Sequence, residues 1–541
     1  MRNRIVGALV ALLAAAVAST GGTAAAQEPA PRPNILLIVA DDLGFADLGA
    51  HGGTVRTPNI DALAARGLLL TRFHTAPLCA PTRAMLLSGN NNHVAGLGRQ
   101  GNMPGPVIPG LAGYENRLSD RVARLPAVLR EAGYHTYMVG KWHLGDRVEH
   151  SPWAAGFERS FAMAFGAGNH FNDVGIRPAP SVYFEDDREA EWPEGAYSTE
   201  LYTDKLIEYI DSNAGSGRPF FAFAAFTSPH WPLQVPEEDL DLYAGRYDMG
   251  YDRLREENFE RLKRAGVIPA DAKLPPRNPD IRPWSELTAE ERRVEARKME
   301  LYAAMVENLD RHVGRLLAYL ERRGLADDTL VVFMGDNGAA AEDFYEQGPF
   351  VDYIRAHYRN TYETMGRATS FVSYGPQWAQ AGAAPFRLFK GFPTEGGLIA
   401  PFIVAGPGVP ARGEMSDAYV DVTDLLPTFL ELAGARYPAD KAPPVGRSAW
   451  PLFSGRSDRV REPDDAHVLM YMQRVAVRQG DWKLLSLAQP FDERNFALYN
   501  VAEDLGETTD LSAEYPEKRA ALIRVWREKR REHGIVLPED L

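Results

Sequence analysis

The chain has 541 residues, too many for one small hydrophobic core, and predicts a large domain with a smaller companion. Lys and Arg total 59 against 73 Asp and Glu, a net charge of −14, which excludes nucleic acid as a partner because such binding needs a basic surface. A single cysteine excludes an internal disulfide and raises the question of what one thiol is for.

Met1 to about Ala26 reads as a secretory signal. Arg2 and Arg4 make a basic start, Ile5 to Val17 are almost wholly apolar, and Ala24-Ala25-Ala26 precedes Gln27 as a small-residue cleavage pattern. The apolar run is short for a membrane span and no second one follows. The expected protein is exported, periplasmic or secreted, begins near Gln27, and has no stable membrane insertion after cleavage. An unpaired thiol outside the cytoplasm is open to oxidation. One cysteine in such a chain is better explained as a modified catalytic residue than as a structural one.

Ile35 to Ala40 is a continuous apolar run, the pattern of a buried parallel strand, and it stops at Asp41-Asp42. In open α/β sheets ligands bind beyond the carboxyl ends of strands, and two adjacent carboxylates there repel unless a cation holds them. Thr57-Pro58-Asn59 opens a helix that Gly67 ends, and Leu68 to His74 predicts a short strand delivering the chain to Cys79. In Cys79-Ala80-Pro81-Thr82-Arg83 the proline marks a helix start, so Cys79 sits at the N-terminus with Arg83 one turn on, on the same face. Free N–H groups and a guanidinium together suit a tetrahedral oxyanion.

Leu125 to Gly133 reads as a helix, and Tyr134 to Gly140 as a strand leading to Lys141-Trp142-His143. In extended chain Lys141 and His143 face one side and make a cationic, proton-handling pair. Phe220 to Phe226 is another buried strand, ending at Pro229-His230-Trp231. Thr288 to Arg323 carries apolar residues at helical spacing and is assigned to packing. Thr329 to Met334 is the second strand that ends in oxygen ligands, at Asp336-Asn337. Arg387 and Lys390 lie in a glycine-bounded loop, and Leu398 to Ala405 predicts a further strand. From about Trp450 the texture changes to alternating strands closed by a charged helix from about Tyr515 to Glu532. The expected organisation is a signal over 1–26, a catalytic domain over 27–449 and an α+β antiparallel subdomain over 450–541.

Asp41, Asp42, Asp336 and Asn337 offer oxygen ligands only, which suits calcium or magnesium rather than zinc. With such a cation, Arg83, Lys141 and Lys390 set against three aspartates leave the pocket positive by roughly two units, favourable for an anionic tetrahedral ester.

These motifs, in this order, resemble those of the sulfatase family, nearest to bacterial arylsulfatases of the formylglycine type. The resemblance rests on Pro33-Asn34 with the strand into Asp41-Asp42, Cys79-x-Pro-Thr-Arg83, Gly140-Lys141-Trp142-His143, Pro229-His230, Asp336-Asn337-Gly338 and Lys390, with Gly480-Asp481-Trp482-Lys483 near the end. It implies an alkaline-phosphatase-like α/β fold, a mixed and mostly parallel central sheet flanked by helices, with a small antiparallel subdomain. It implies hydrolysis of small sulfate esters, with Cys79 oxidised to formylglycine by the formylglycine-generating enzyme. Calcium, in preference to magnesium, would be held by Asp41, Asp42, Cys79, Asp336 and Asn337. Cys79 as the aldehyde hydrate would attack sulfur, Asp336 assisting and Arg83 stabilising it. Lys141, Lys390 and His230 would hold the sulfate, and His143 would take the last hydroxyl proton. A phosphonate monoester or phosphodiester hydrolase on the same fold is the alternative.

Overall fold

The sequence Asn34–Ala40 forms the middle of a ten-stranded sheet and is buried along its whole length. Its side chains alternate between two separate cores. Leu36, Ile38 and Ala40 pack on one face with Leu206, Leu309 and Val313. Ile35, Leu37 and Val39 pack on the other with Leu86, Leu129 and Phe429. Helices cover both faces, which is why the strand is apolar at every position. The computed structural model describes residues 32–100, 110–537 and 540. The signal-like segment 1–26 lies outside them. No helix among the described residues is long and apolar enough to cross a membrane.

Across the sheet the strands run Glu414–Ser416, Leu68–Leu70, Phe402–Ala405, Thr329–Gly335, Asn34–Ala40, Phe220–Ala225, His135–Lys141, Arg159–Met163, Tyr183–Glu185 and Arg188–Ala190. The five from Thr329–Gly335 to Arg159–Met163 are mutually parallel, and Phe402–Ala405 is antiparallel to its neighbours. The sheet is therefore mixed and mostly parallel at its centre. Asn34 ties the three central strands at their start. Its amide nitrogen lies 3.4 Å from the Thr329 hydroxyl and its oxygen accepts the Phe220 N–H at 3.0 Å. Registering these strands together also aligns their far ends, where the candidate site residues lie.

Near the C-terminus a four-stranded antiparallel sheet, Ala466–Tyr471, Arg474–Gln479, Trp482–Ser486 and Ala497–Asn500, packs under the helix Pro516–Glu532 through Leu522 and Trp526. Ala466–Tyr471 and Arg474–Gln479 form a hairpin. Met472 and Gln473, with φ of 49° and 62°, form its turn without a glycine. The long helix spans Ala289–Arg322, and Thr288 with Glu291 makes a reciprocal capping box at its start. The segment read as one strand from Leu398 to Ala405 begins only at Phe402, because Glu395–Leu398 is a short helix.

Candidate active site

The helix Cys79–Ser88 starts at the cysteine itself, and every one of its residues is buried. Cys79 Sγ lies 3.9 Å from Asp42 Oδ1. One turn on, Arg83 donates to the Lys141 carbonyl at 2.7 Å and to Asp336 Oδ2 at 2.9 Å. Asp41 and Asp42 follow the central strand directly, and Asp336 and Asn337 follow its neighbour. The Asp336 N–H bonds the Ala40 carbonyl at 3.1 Å, and the Asp42 N–H bonds Asp336 Oδ1 at 3.2 Å. To turn back so tightly Asp42 takes φ of 68°, a left-handed conformation that a non-glycine residue adopts at a cost.

Three cations meet these carboxylates. Lys141 Nζ is 2.6 Å from Asp41 Oδ2, and Lys390 Nζ is 2.8 Å from Asp42 Oδ2. Asn337 donates to Asp42 Oδ1 at 2.7 Å. His230 Nε2 lies 3.3 Å from Asp42 Oδ2 and 3.4 Å from Lys390 Nζ, while its Nδ1 bonds the Trp231 carbonyl at 2.6 Å. All seven residues predicted as catalytic and all five predicted as metal ligands thus fall in or around one buried cluster.

The donor set fits a cation. Asp41 Oδ1 and Asn337 Oδ1 are buried with no hydrogen-bond partner among the described residues. One ligand atom each from Asp41, Asp42, Cys79 and His230 lie within 4.8 Å of one another. Burial, followed by repulsion from Asp336, pushes Asp41 up to about 8 although Lys141 opposes both. A cation among these oxygens relieves that repulsion. His230 joins the cluster as a nitrogen donor, so the local set is not purely oxygen.

Burial raises the Cys79 thiol well above its ordinary value, and Lys141 and Lys390 only partly offset this. As a thiol it carries almost no thiolate, the form that acts as a nucleophile. Burial also favours the neutral forms of His143 and His230, and the neighbouring lysines add to it, so both lie well below the usual histidine range. Burial works against the charge on Lys390, but Asp42, Glu342 and Asp41 with the Cys79 sulfur together outweigh it and hold the ammonium well above its usual range.

His143 does not continue the extended chain that the spacing to Lys141 suggests. Its φ is 59°, and its Nδ1 is buried without a partner. Gly140 shows why the strand ends as it does: at φ of 96° a Cβ there would sit 1.9 Å from the Ala225 carbonyl.

Two residues that carry no sequence signal support the histidines. A Cβ on Gly166 would meet His143 Cε1 at 2.3 Å, so this glycine makes room for the ring. His170 places Nε2 3.3 Å from the His230 carbonyl, with Ser198 on its Nδ1 at 2.7 Å. Neither sits in a motif, and only the fold brings them to the site.

A family model described as Sulfatase matches residues 33–435. An uncharacterised sulfatase of Schizosaccharomyces pombe is 40% identical over 538 residues, 95% of this chain and 96% of its own. The arylsulfatase of Klebsiella aerogenes is 37% identical over 441 residues, 80% of this chain and 92% of its own. The crystal structure of Ps i-CgsB matches with a TM-score of 0.66 at 25% identity, covering 92% of both chains. The phosphonate monoester hydrolase of Agrobacterium radiobacter matches with a TM-score of 0.54 at 19% identity, covering 93% of this chain and 96% of that one, a likeness of fold alone.

Proposed function

The chain belongs to the sulfatase family and is a sulfuric ester hydrolase, and on that premise we propose that it is an arylsulfatase acting through a formylglycine hydrate at position 79 and a calcium ion. The observation that carries this reading is the setting of Cys79. It is buried at a helix N-terminus, 3.9 Å from Asp42, where burial disfavours the thiolate although Lys141 and Lys390 partly offset it, a place where an oxygen nucleophile is of more use than a thiol. Oxidation by a formylglycine-generating enzyme, in a chain exported by the 1–26 signal, supplies that oxygen.

Asp41, Asp42, Asp336, Asn337 and residue 79 would hold the cation, which when bound offers positive charge to the sulfate oxygens. Burial works against the charge on Asp336, but Arg83 and Lys141 hold it below the usual carboxylate range, so this carboxylate is available to the proton of the attacking hydroxyl. Lys141 and Lys390 bring charge to a sulfate seated beside Cys79, and both side chains are buried, where such charge counts most. Lys390 and His230 share a hydrogen bond and together deliver a proton to the leaving oxygen. His143 is neutral and so able to accept the remaining hydroxyl proton as sulfate departs.

The experiment that tests this reading compares kcat/KM for 4-nitrophenyl sulfate with that for a 4-nitrophenyl phosphonate monoester. The sulfate is expected to lead by at least about tenfold. A lead for the phosphonate overturns the reading in favour of a phosphonate monoester hydrolase.

Gly166 gives a second expectation. Gly166→Ala drives a methyl group into the His143 ring and should lower kcat on the order of 10- to 100-fold, with the melting temperature little changed. An unchanged kcat would show that the position of the His143 ring does not matter to turnover.

A further inference from the structure

One carboxyl group near the site has no part in this scheme. Glu342 follows Asn337 on the same loop, and its Oε1 lies 3.8 Å from Lys390 Nζ. Burial disfavours its ionised form, while Lys390 and the Trp231 side chain both favour it. Its side chain is 26% exposed, against 2% for Lys390 and 1% for Asp42, so of the three it is the one open to solvent. Phe344 lies two residues further along the chain. Trp231 lies 4.2 Å from the His230 ring and 4.9 Å from Phe344, centroid to centroid, and Lys390 Nζ is 5.9 Å from its ring centre.

The reading of Lys390 and His230 as the leaving-group pair, on which this inference rests, fixes what Glu342 meets. An ester oxygen between those two side chains carries its aryl group outward past the residues that surround them. These are the Trp231 and Phe344 rings and the Glu342 carboxyl. We infer that Glu342 selects the leaving group: the enzyme prefers aryl sulfates whose ring bears a cation or hydrogen-bond donor and rejects those bearing a second anion. A partly exposed carboxylate beside the leaving-group pair is favourable to a substrate donor or cation and repels a substrate carboxylate. Burial favours the neutral carboxyl and Lys390 opposes it, and a cationic ring substituent acts in the same direction as Lys390.

The test uses three esters whose phenols have similar basicity because a methylene insulates the ring: 4-ethylphenyl sulfate, 4-(2-aminoethyl)phenyl sulfate and 2-(4-sulfooxyphenyl)acetate. The mature enzyme should show a kcat/KM for the amine at least about tenfold above that for the carboxylate, a gap that narrows as salt screens it. Glu342→Gln should bring that ratio to about one. An amine-to-carboxylate ratio near one in the unmodified protein overturns the inference without need of a variant. So does a ratio that survives in Glu342→Gln. Failure to turn over the neutral ethylphenyl ester would instead overturn the arylsulfatase reading, and the inference with it.

Discussion

Replacing Cys79 by alanine is expected to lower kcat for aryl sulfates on the order of 10⁴-fold or more, the scale on which removal of a covalent nucleophile acts. The protein should nevertheless fold. Cys79 has a single polar contact, 3.9 Å from Asp42 Oδ1, and alanine is a better helix former at the start of Cys79–Ser88. The Arg83, Lys141 and Asp336 contacts that organise the site do not pass through the sulfur. Loss of turnover with an unchanged melting temperature therefore separates chemistry from structure. Appreciable activity in the alanine variant would move the nucleophile elsewhere, to water or to another side chain.

Replacing Arg83 should damage both stability and turnover. The guanidinium is buried and bridges three elements, reaching the Lys141 carbonyl, Asp336 and, at 3.8 Å, Asp41 Oδ1. Arg83→Ala leaves the Asp336 carboxylate without its nearest counter-charge, and removing one partner of a buried ion pair typically costs about 3–5 kcal/mol. Arg83→Lys should recover little, since one ammonium cannot span a carbonyl and a carboxylate held by two separate nitrogens. Thermal unfolding and 4-nitrophenyl sulfate turnover, measured on both variants, check this. A lysine variant with native stability and native turnover would show that only charge is needed at this position.

The central strands could be read from sequence because each is a short, unbroken apolar run with a polar residue at its end. Asn34–Ala40, Phe220–Ala225 and Thr329–Gly335 lie where expected, within about a residue. Their carboxyl ends held Asp41, Asp42, His230, Asp336 and Asn337, and parallel topology places such ends together. The long helix was equally plain from its 3.6-residue periodicity. What remained hidden depends on contacts far apart in sequence. Tyr183–Glu185 and Arg188–Ala190 are edge strands too short to show a period. The Met472-Gln473 turn uses no residue that announces a left-handed backbone. Gly166, His170 and Glu342 belong to no motif, and their relevance lies in reaching His143, His230 and Lys390 across the fold.

If residue 79 works as an aldehyde hydrate, the mass of the proteolytic peptide spanning Cys79 reports it. In protein made by a host able to perform the modification, conversion of the thiol to the aldehyde makes that peptide about 18 Da lighter, sulfur and two hydrogens leaving as one oxygen enters. The account predicts that the lighter peptide appears in proportion to aryl sulfate turnover from one preparation to the next. A fully active preparation carrying only the unmodified thiol would contradict it.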